Sequence, residues 1–119
     1  MNKKIEQRLR RKTRARFYIK GTDERPRLNV FRSNKHVYAQ VINDRTGVTL
    51  AHVGTLSAGV KETEGGMVKR AAAVGKALAA LCVEKGIKKV VFDKNGFIYK
   101  KGGTIDALAT GAREGGLDF

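Results

Sequence analysis

Apolar and polar residues alternate in two short runs on either side of a polar centre within residues 27–42. An alternation with a period of two places the apolar side chains of both runs on one face of an extended chain. These apolar positions are Leu28, Val30, Val37, Ala39 and Val41. Because the residues at the centre favour a turn, the pattern predicts a β-hairpin whose apolar face belongs to the core.

A turn centred on Asn34 and Lys35 would place Val30 opposite Ala39 and Phe31 opposite Tyr38. The second face of the hairpin then carries aromatic, amide, hydroxyl and imidazole groups: Asn29, Phe31, Ser33, His36, Tyr38 and Gln40. Such groups can stack on nucleotides and form hydrogen bonds with them. An ordinary solvated sheet face remains the alternative, because cross-strand aromatic pairs also stabilise hairpins without a ligand.

The pattern after the hairpin predicts one more strand, a helix and a last strand. A turn at residues 43–47 leads to an alternating strand at 48–53, which completes an antiparallel meander. Residues 54–66 lack periodicity and are predicted to be a loop. Apolar residues at steps of three and four predict a helix over 67–85, ended by Gly86, before a strand at 87–92. A helical crossover allows this last strand to run parallel to one strand of the meander.

A second helix is predicted after the basic, glycine-containing loop at residues 93–103. Thr104 is expected to cap it, and Asp106 lies in its first turn, where the helix dipole favours a negative charge. Its expected inner face is Ile105, Leu108, Ala109 and Ala112. The apolar Phe119 is expected to be docked. The predicted fold is therefore a mixed α/β (α+β) domain with a four-stranded sheet and two packed helices.

The first twenty residues are strongly basic and contain too few apolar residues to form a core face. Their cations are Lys3, Lys4, Arg8, Arg10, Arg11, Lys12, Arg14, Arg16 and Lys20, against the single Glu6. Since like charges repel, we expect an arm that is disordered or frayed when free and helical on phosphates. A membrane-surface helix is the competing interpretation, but it would need a larger apolar face. We therefore divide the chain into an arm, residues 1–22, and one domain, residues 23–119.

Charge indicates a polyanionic partner. The chain has 119 residues, with 25 Lys and Arg against 11 Asp and Glu, a net charge of +14 and a pI of about 10.4. No apolar run approaches the length of a membrane span, and the N-terminus lacks the apolar segment of a secretory signal. The protein is thus expected to stay in the compartment where it is made, without a membrane partner.

Candidate chemistry for an enzyme is sparse. Cys82 is the single cysteine and is expected in the core, and only His36 and His52 could join it as metal ligands. No phosphate-binding glycine loop is present, and Asp93 has no catalytic companion, so it is expected to cap a turn or anchor a basic side chain. We expect no catalysis, cofactor, metal or small-molecule substrate. A helix-turn-helix is disfavoured because a strand separates the two helices.

Three stretches resemble a known family. RPRLNVFRSNKHVYAQV (25–41), GIKKVVFD (86–93) and ALATGAREGGLDF (107–119) are similar to bacterial large-subunit ribosomal protein eighteen, the 5S ribosomal RNA binder. The resemblance implies a cytoplasmic, ribosomal protein in the central protuberance. Its implied partners are 5S rRNA, the large rRNA and neighbouring ribosomal proteins. A general RNA chaperone is the alternative, and preference for one folded RNA would distinguish the two.

One loop departs from the family pattern. After the matching Tyr99, the family typically continues with His-Gly-Arg-Val, whereas this chain reads KKGGTI and is two residues longer. Lys100 and Lys101 retain charge, so phosphate contact is expected there and base-specific contact is not carried over.

The residues predicted to bind RNA come from the arm, the hairpin and this loop. They are Arg8, Arg10, Arg11, Lys12, Arg14, Arg16, Lys20, Arg25, Arg27, Phe31, Arg32, Ser33, Asn34, Lys35, His36, Tyr38, Gln40, Lys94, Tyr99, Lys100 and Lys101. We expect the arm to neutralise phosphates, and the hairpin and the loop to supply shape fit and stacking.

Overall fold

A four-stranded sheet and three helices make up the computed structural model, which describes residues 3–57, 60, 63–97 and 99–119 without the side chains of residues 15–18. The helices are α1 (Lys3–Tyr18), α2 (Met67–Glu84) and α3 (Thr104–Glu114). The strands are β1 (Arg27–Arg32), β2 (Val37–Asn43), β3 (Val48–Gly54) and β4 (Val91–Asp93). The strand order is β3-β2-β1-β4, with β4 parallel to β1 and the other pairs antiparallel. The predicted mixed α/β class is confirmed.

The hairpin has the predicted register. Leu28 pairs with Val41, Val30 with Ala39, and Phe31 with Tyr38. All five apolar positions of the alternating runs are buried: Leu28, Val30, Val37, Ala39 and Val41. Register is well specified here because a slip of one residue would turn this entire apolar face towards solvent.

Helix α2 covers one face of the sheet and packs along α3. Ala71, Val74, Leu78 and Cys82 are fully buried on its inner side, as the helical spacing predicts. The two helices approach closely at glycines, since a Cβ on Gly75 would collide with the carbonyl oxygen of Leu108 in α3. The close packing of α2 on α3 thus depends on a glycine inside a helix, where this residue ordinarily costs stability.

We expect Gly75→Ala to lower the free energy of unfolding by about 2 kcal/mol, because the added methyl overpacks the α2–α3 contact. Helix propensity alone predicts the opposite, a gain of up to about 1 kcal/mol. The sign of the change in a urea titration therefore decides between the two effects. Gly66→Ala adds a methyl where no atom lies within 4 Å, so its loss of stability reports only the poorer N-cap of α2.

Two local predictions are wrong. The strand expected at 87–92 is shorter and later, because only Val91–Asp93 form a ladder with β1, while Lys89 makes a single bridge to Asp118. Thr104 is not the cap of α3, since the N-cap is Gly103 and has no side-chain cap. Asp106 instead reaches back and accepts the Gly102 N–H at 2.9 Å.

Other local predictions are confirmed. Gly47 and Gly86 adopt positive φ angles of 72° and 81°, as a turn and a helix end require. Phe119 is docked: its ring stacks on Phe92 with centroids 5.4 Å apart, and the Arg113 guanidinium lies 4.4 Å from the Phe119 centroid. The C-terminus thereby packs beside β4.

Candidate nucleic-acid interface

The sheet face opposite α2 carries a row of rings. Tyr38 stacks with His52 at a centroid distance of 6.4 Å and an interplanar angle of 20°. Phe31 lies 6.4 Å from Tyr38 on the other side and meets Phe97 edge to face at 5.7 Å. We refer to Phe97, Phe31, Tyr38 and His52 as the ring row. Phe31 is 43% exposed, so the row offers aromatic surface to solvent.

Strand register explains this arrangement. Tyr38 pairs with Gly54, and its ring lies over the place where a Cβ of Gly54 would be, 2.5 Å from the Tyr38 Cδ1. Gln40 pairs with His52, so the imidazole of β3 lies on the same face as the ring of Tyr38. Asn29, Phe31, Tyr38, Gln40 and His52 line a shallow cavity of about 200 Å³ on this face.

A buried polar network joins β1 to β4 and to the turn after β2, on the same sheet face as the ring row. The Arg27 guanidinium donates to Asp93 Oδ2 at 2.8 Å and to Asp44 Oδ2 at 3.0 Å, and Asn29 Nδ2 donates to Asp93 Oδ2 at 3.1 Å. Burial alone would lower the pKa of Arg27, but the hydrogen bonds to Asp44 and Asp93 outweigh it and raise this pKa.

Asp93 has both roles that the sequence allowed. It anchors Arg27, and its Oδ1 accepts the N–H of Asn95 at 2.9 Å, which caps the turn after β4. Arg27 is only 5% exposed, so it has little surface to offer RNA, although its residue type and position suggested an RNA contact. The charge of Arg27 is paired with Asp44 and Asp93 inside the protein.

The predicted RNA-binding residues differ in exposure. Those that are exposed are Arg10, Arg14, Lys20, Arg25, Phe31, Arg32, Ser33, Asn34, Lys35, Tyr99, Lys100 and Lys101. Those that are half-buried are Arg8, Arg11, Lys12, His36, Tyr38, Gln40 and Lys94. The side chain of Arg16 lies outside the described part of the chain. Arg27 alone among the described members of the set is buried.

The hairpin turn and α1 border a groove beside the ring row. Its volume is about 670 Å³, and it is lined by Lys4, Ile5, Arg8, Arg11, Phe31, Arg32, Ser33, Asn34, Phe97 and Ile105. Four of these are cations and two are aromatic, which is the combination that binds phosphates and stacks on bases. The arm and the hairpin, predicted separately, therefore meet at one groove.

The turn itself is held by local contacts. Ser33 N–H donates to the His36 carbonyl at 2.9 Å, and His36 Nδ1 lies 2.9 Å from Thr55 Oγ1. Arg70 Nη2 of α2 donates to the carbonyl of Lys35 at 2.7 Å. The exposed tip of the hairpin is therefore held both by Thr55 and by Arg70 of α2.

The loop that departs from the family pattern is held against α3 by Asp106. The Tyr99 hydroxyl donates to Asp106 Oδ1 at 3.0 Å. The Gly102 N–H and then this hydroxyl lower the pKa of Asp106, since both stabilise its carboxylate, and this support is lost as the pH falls below the usual range of an aspartate. Burial, followed by the bond to Asp106, raises the pKa of Tyr99. Lys100 and Lys101 remain exposed.

Sequence reasoning left His52 and Phe97 out of the predicted RNA-binding set. The alternation of β3 already places His52 opposite the core positions Ala51 and Val53, and that signal could have found it. Phe97 lies in an irregular loop, and its contact with Phe31 spans segments far apart in sequence. Only the tertiary structure could reveal that contact.

Within the described residues, no three side chains of His, Cys, Asp or Glu are grouped so as to hold a metal ion. In the same part of the chain, no helix combines the length and the apolar character needed to cross a membrane.

Comparison with known proteins supports the resemblance seen in the sequence. Residues 2–119 match the family model of ribosomal L18 of archaea, bacteria, mitochondria and chloroplasts. Large ribosomal subunit protein uL18 of Sorangium cellulosum is 54% identical over 121 residues, covering 100% of both chains. The proteins of the same name from Nitratidesulfovibrio vulgaris and Macrococcus caseolyticus are 53% and 52% identical, covering 98% and 94% of this chain and 97% and 92% of theirs.

The family match covers almost the whole chain, and a ribosomal role is consistent with the strong basic charge. The predicted placement in the large ribosomal subunit is confirmed by this match. The chain belongs to the ribosomal L18 family, whose members are structural proteins of the large ribosomal subunit and not enzymes.

Proposed function

We propose that this protein binds 5S rRNA and helps attach it to the large rRNA in the central protuberance, beside neighbouring ribosomal proteins. One observation carries the proposal: the ring row borders a groove that is lined by cations of α1 and of the hairpin. Folded RNA is recognised mainly through its shape, its phosphates and its unstacked bases, and this surface offers partners for all three.

The division of labour follows from the chemistry of each part. The exposed arm cations contact phosphates, which adds affinity with little dependence on sequence. The ring row stacks on bases that lie outside a regular helix, and the side chains of Gln40 and Asn34 supply hydrogen bonds beside it. Selectivity for one RNA therefore belongs to the sheet face.

The test compares 5S rRNA with an unrelated structured RNA of equal length at one salt concentration. We expect a preference on the order of 100-fold or more for 5S rRNA, as is usual for specific nucleic-acid binding. Equal affinity for the two RNAs would favour a general RNA-coating protein. Attachment is tested separately, by asking whether 5S rRNA co-sediments with the large rRNA only when the protein is added.

Tyr38→Ala should weaken binding to 5S rRNA by about 1 to 3 kcal/mol, the range for a base stacked on an aromatic side chain. The ring lies between Phe31 and His52, so its loss interrupts the ring row. Tyr38→Phe is the matched control, because it keeps the ring. A thermal melt checks that the hairpin survives. If Tyr38→Ala melts normally and binds as tightly as the parent, the face is an ordinary solvated sheet surface.

Replacing Lys100 and Lys101 by Gln should weaken binding to 5S rRNA and to unrelated RNA by similar factors. Both side chains are exposed, and a lysine lacks the planar fork by which arginine grips a phosphate or a guanine edge. The loss should shrink as salt rises, which titrations at several salt concentrations measure. A salt-independent loss confined to 5S rRNA would instead indicate a shaped contact by this loop.

A further inference from the structure

The cations of α1 point in two directions. Arg8 and Arg11, three residues apart and thus on one side of the helix, are half-buried against the rest of the protein. Arg10 and Arg14, four residues apart, are exposed and line a separate shallow surface together with Leu9 and Thr13. The helix therefore separates its arginines into an inward pair and an outward pair.

The inward pair contacts protein groups. Arg8 Nη1 donates to the carbonyl of Asn95 at 3.0 Å, and Arg11 Nε donates to the carbonyl of Gly96 at 2.9 Å. The Arg8 guanidinium also lies 4.6 Å from the ring centroid of Phe97 and 5.9 Å from that of Phe31. We refer to the Asn95 and Gly96 carbonyls and the two rings as the α1 seat.

A glycine lets the helix approach the seat. Gly96 has a φ of 77°, and a Cβ at this position would collide with the backbone carbonyl of Arg8 and lie 2.9 Å from the backbone nitrogen of Lys12. The contact is thus between backbone and backbone, not only between flexible side chains. A side chain at residue 96 would move α1 away from the turn.

The seat is firmly attached to the domain. Asp93 accepts the N–H of Asn95 and is itself held by Arg27 and Asn29 in the buried network on the same face of the sheet. Asn95 is buried as well and has a φ of 57°, a conformation that asparagine tolerates better than most residues. The seat is therefore held by the buried network, and this network fixes the position of α1.

We propose that Arg8 and Arg11 are positioning residues that dock α1 on the seat, and that the outward Arg10 and Arg14 make the phosphate contacts. The proposal deepens and rests on the proposed function, because docking decides where the outward cations meet the RNA. It also revises the expectation that the arm arginines all act alike. The inward pair lines the groove beside the ring row but acts through the protein, which leaves Lys4 and Arg32 as the exposed cations of that groove. The outward pair acts directly on RNA.

Charge-removing variants separate the two roles. Arg10→Gln should reduce the slope of log affinity against log salt by about 0.7 to 0.9, the contribution of one phosphate contact. Arg8→Gln should lower the affinity about tenfold, as expected from the loss of a cation–π contact and a charged hydrogen bond. Its change in the salt slope should be less than about half of the change in Arg10→Gln. Arg10→Lys should restore the slope, whereas Arg8→Lys should not restore the affinity. Slopes that fall equally in Arg8→Gln and Arg10→Gln would overturn the proposal.

A double-mutant cycle tests whether Arg8 acts through the seat. If it does, combining Arg8→Gln with Phe97→Leu should cost little more affinity than either change alone. Arg10→Gln combined with Phe97→Leu should be additive, because Arg10 lies on the other side of the helix. Additivity in both pairs would contradict the docking role of Arg8.

Gly96→Ala has a matched control in Gly86→Ala. Both glycines have similar positive φ angles, 77° and 81°, but no atom lies within 4 Å of a Cβ built on Gly86. We expect similar losses in thermal stability and a fall of about tenfold in RNA affinity for Gly96→Ala alone. Equal affinities in the two variants would overturn the proposal. If the parent shows no preference for 5S rRNA, the proposed function fails, and the same comparisons on unrelated RNA still test the seat.

Discussion

Asp93→Ala should lower the free energy of unfolding by about 3 kcal/mol. Asp93 is fully buried and holds Arg27 and Asn29, so its removal leaves a buried guanidinium and a buried amide with fewer acceptors. The expected loss lies at the lower end of the range for broken buried ion pairs, because Asp44 still accepts from Arg27 at 3.0 Å. Urea unfolding at neutral pH measures the change.

Glu114→Ala is the control for this effect. It also removes one carboxylate from an ion pair, but Glu114 and Lys76 are exposed and 3.6 Å apart, so the expected loss is below about 1 kcal/mol. Asp93→Asn adds a second comparison, since it keeps an acceptor for the Asn95 N–H while removing the charge. If Asp93→Ala and Glu114→Ala unfold at the same urea concentration, the buried network does not stabilise the fold.

Removing residues 1–20 should flatten the salt dependence of RNA binding by several units of slope. Each phosphate contact contributes roughly 0.7 to 0.9 to this slope. Most of the exposed cations among the described residues of 3–35 belong to the arm. The stability of the remaining domain should change little, because the buried apolar core of the described residues begins at Leu28. Filter binding from low to high salt and a thermal melt measure the two quantities.

Two outcomes would contradict this prediction separately. An unchanged slope would mean that the arm does not contact phosphates. A truncated protein that fails to melt cooperatively would mean that α1 belongs to the folding unit, and the division into residues 1–22 and 23–119 would then be wrong.

Local chemistry by itself determined much of the sheet and the helices. The register of the hairpin follows from an alternation that buries one face and from the turn centred on Asn34 and Lys35. Helix α2 and its left-handed end at Gly86 follow from spacing and from the freedom of glycine. The apolar positions of α3 follow in the same way, because each of these patterns is contained within a few turns or one strand pair.

Tertiary structure decided what depends on distant segments meeting. The sequence predicts Arg27 to be a surface cation. Only its contact with Asp93, which lies 66 residues later in the chain, makes Arg27 a buried structural residue. The short β4 reflects how much of residues 87–92 can reach β1, and the contact of Asp106 with the Gly102 N–H reflects how the preceding loop turns back. The ring row and the α1 seat arise when Phe97 meets Phe31 and Arg8, contacts that no local periodicity encodes.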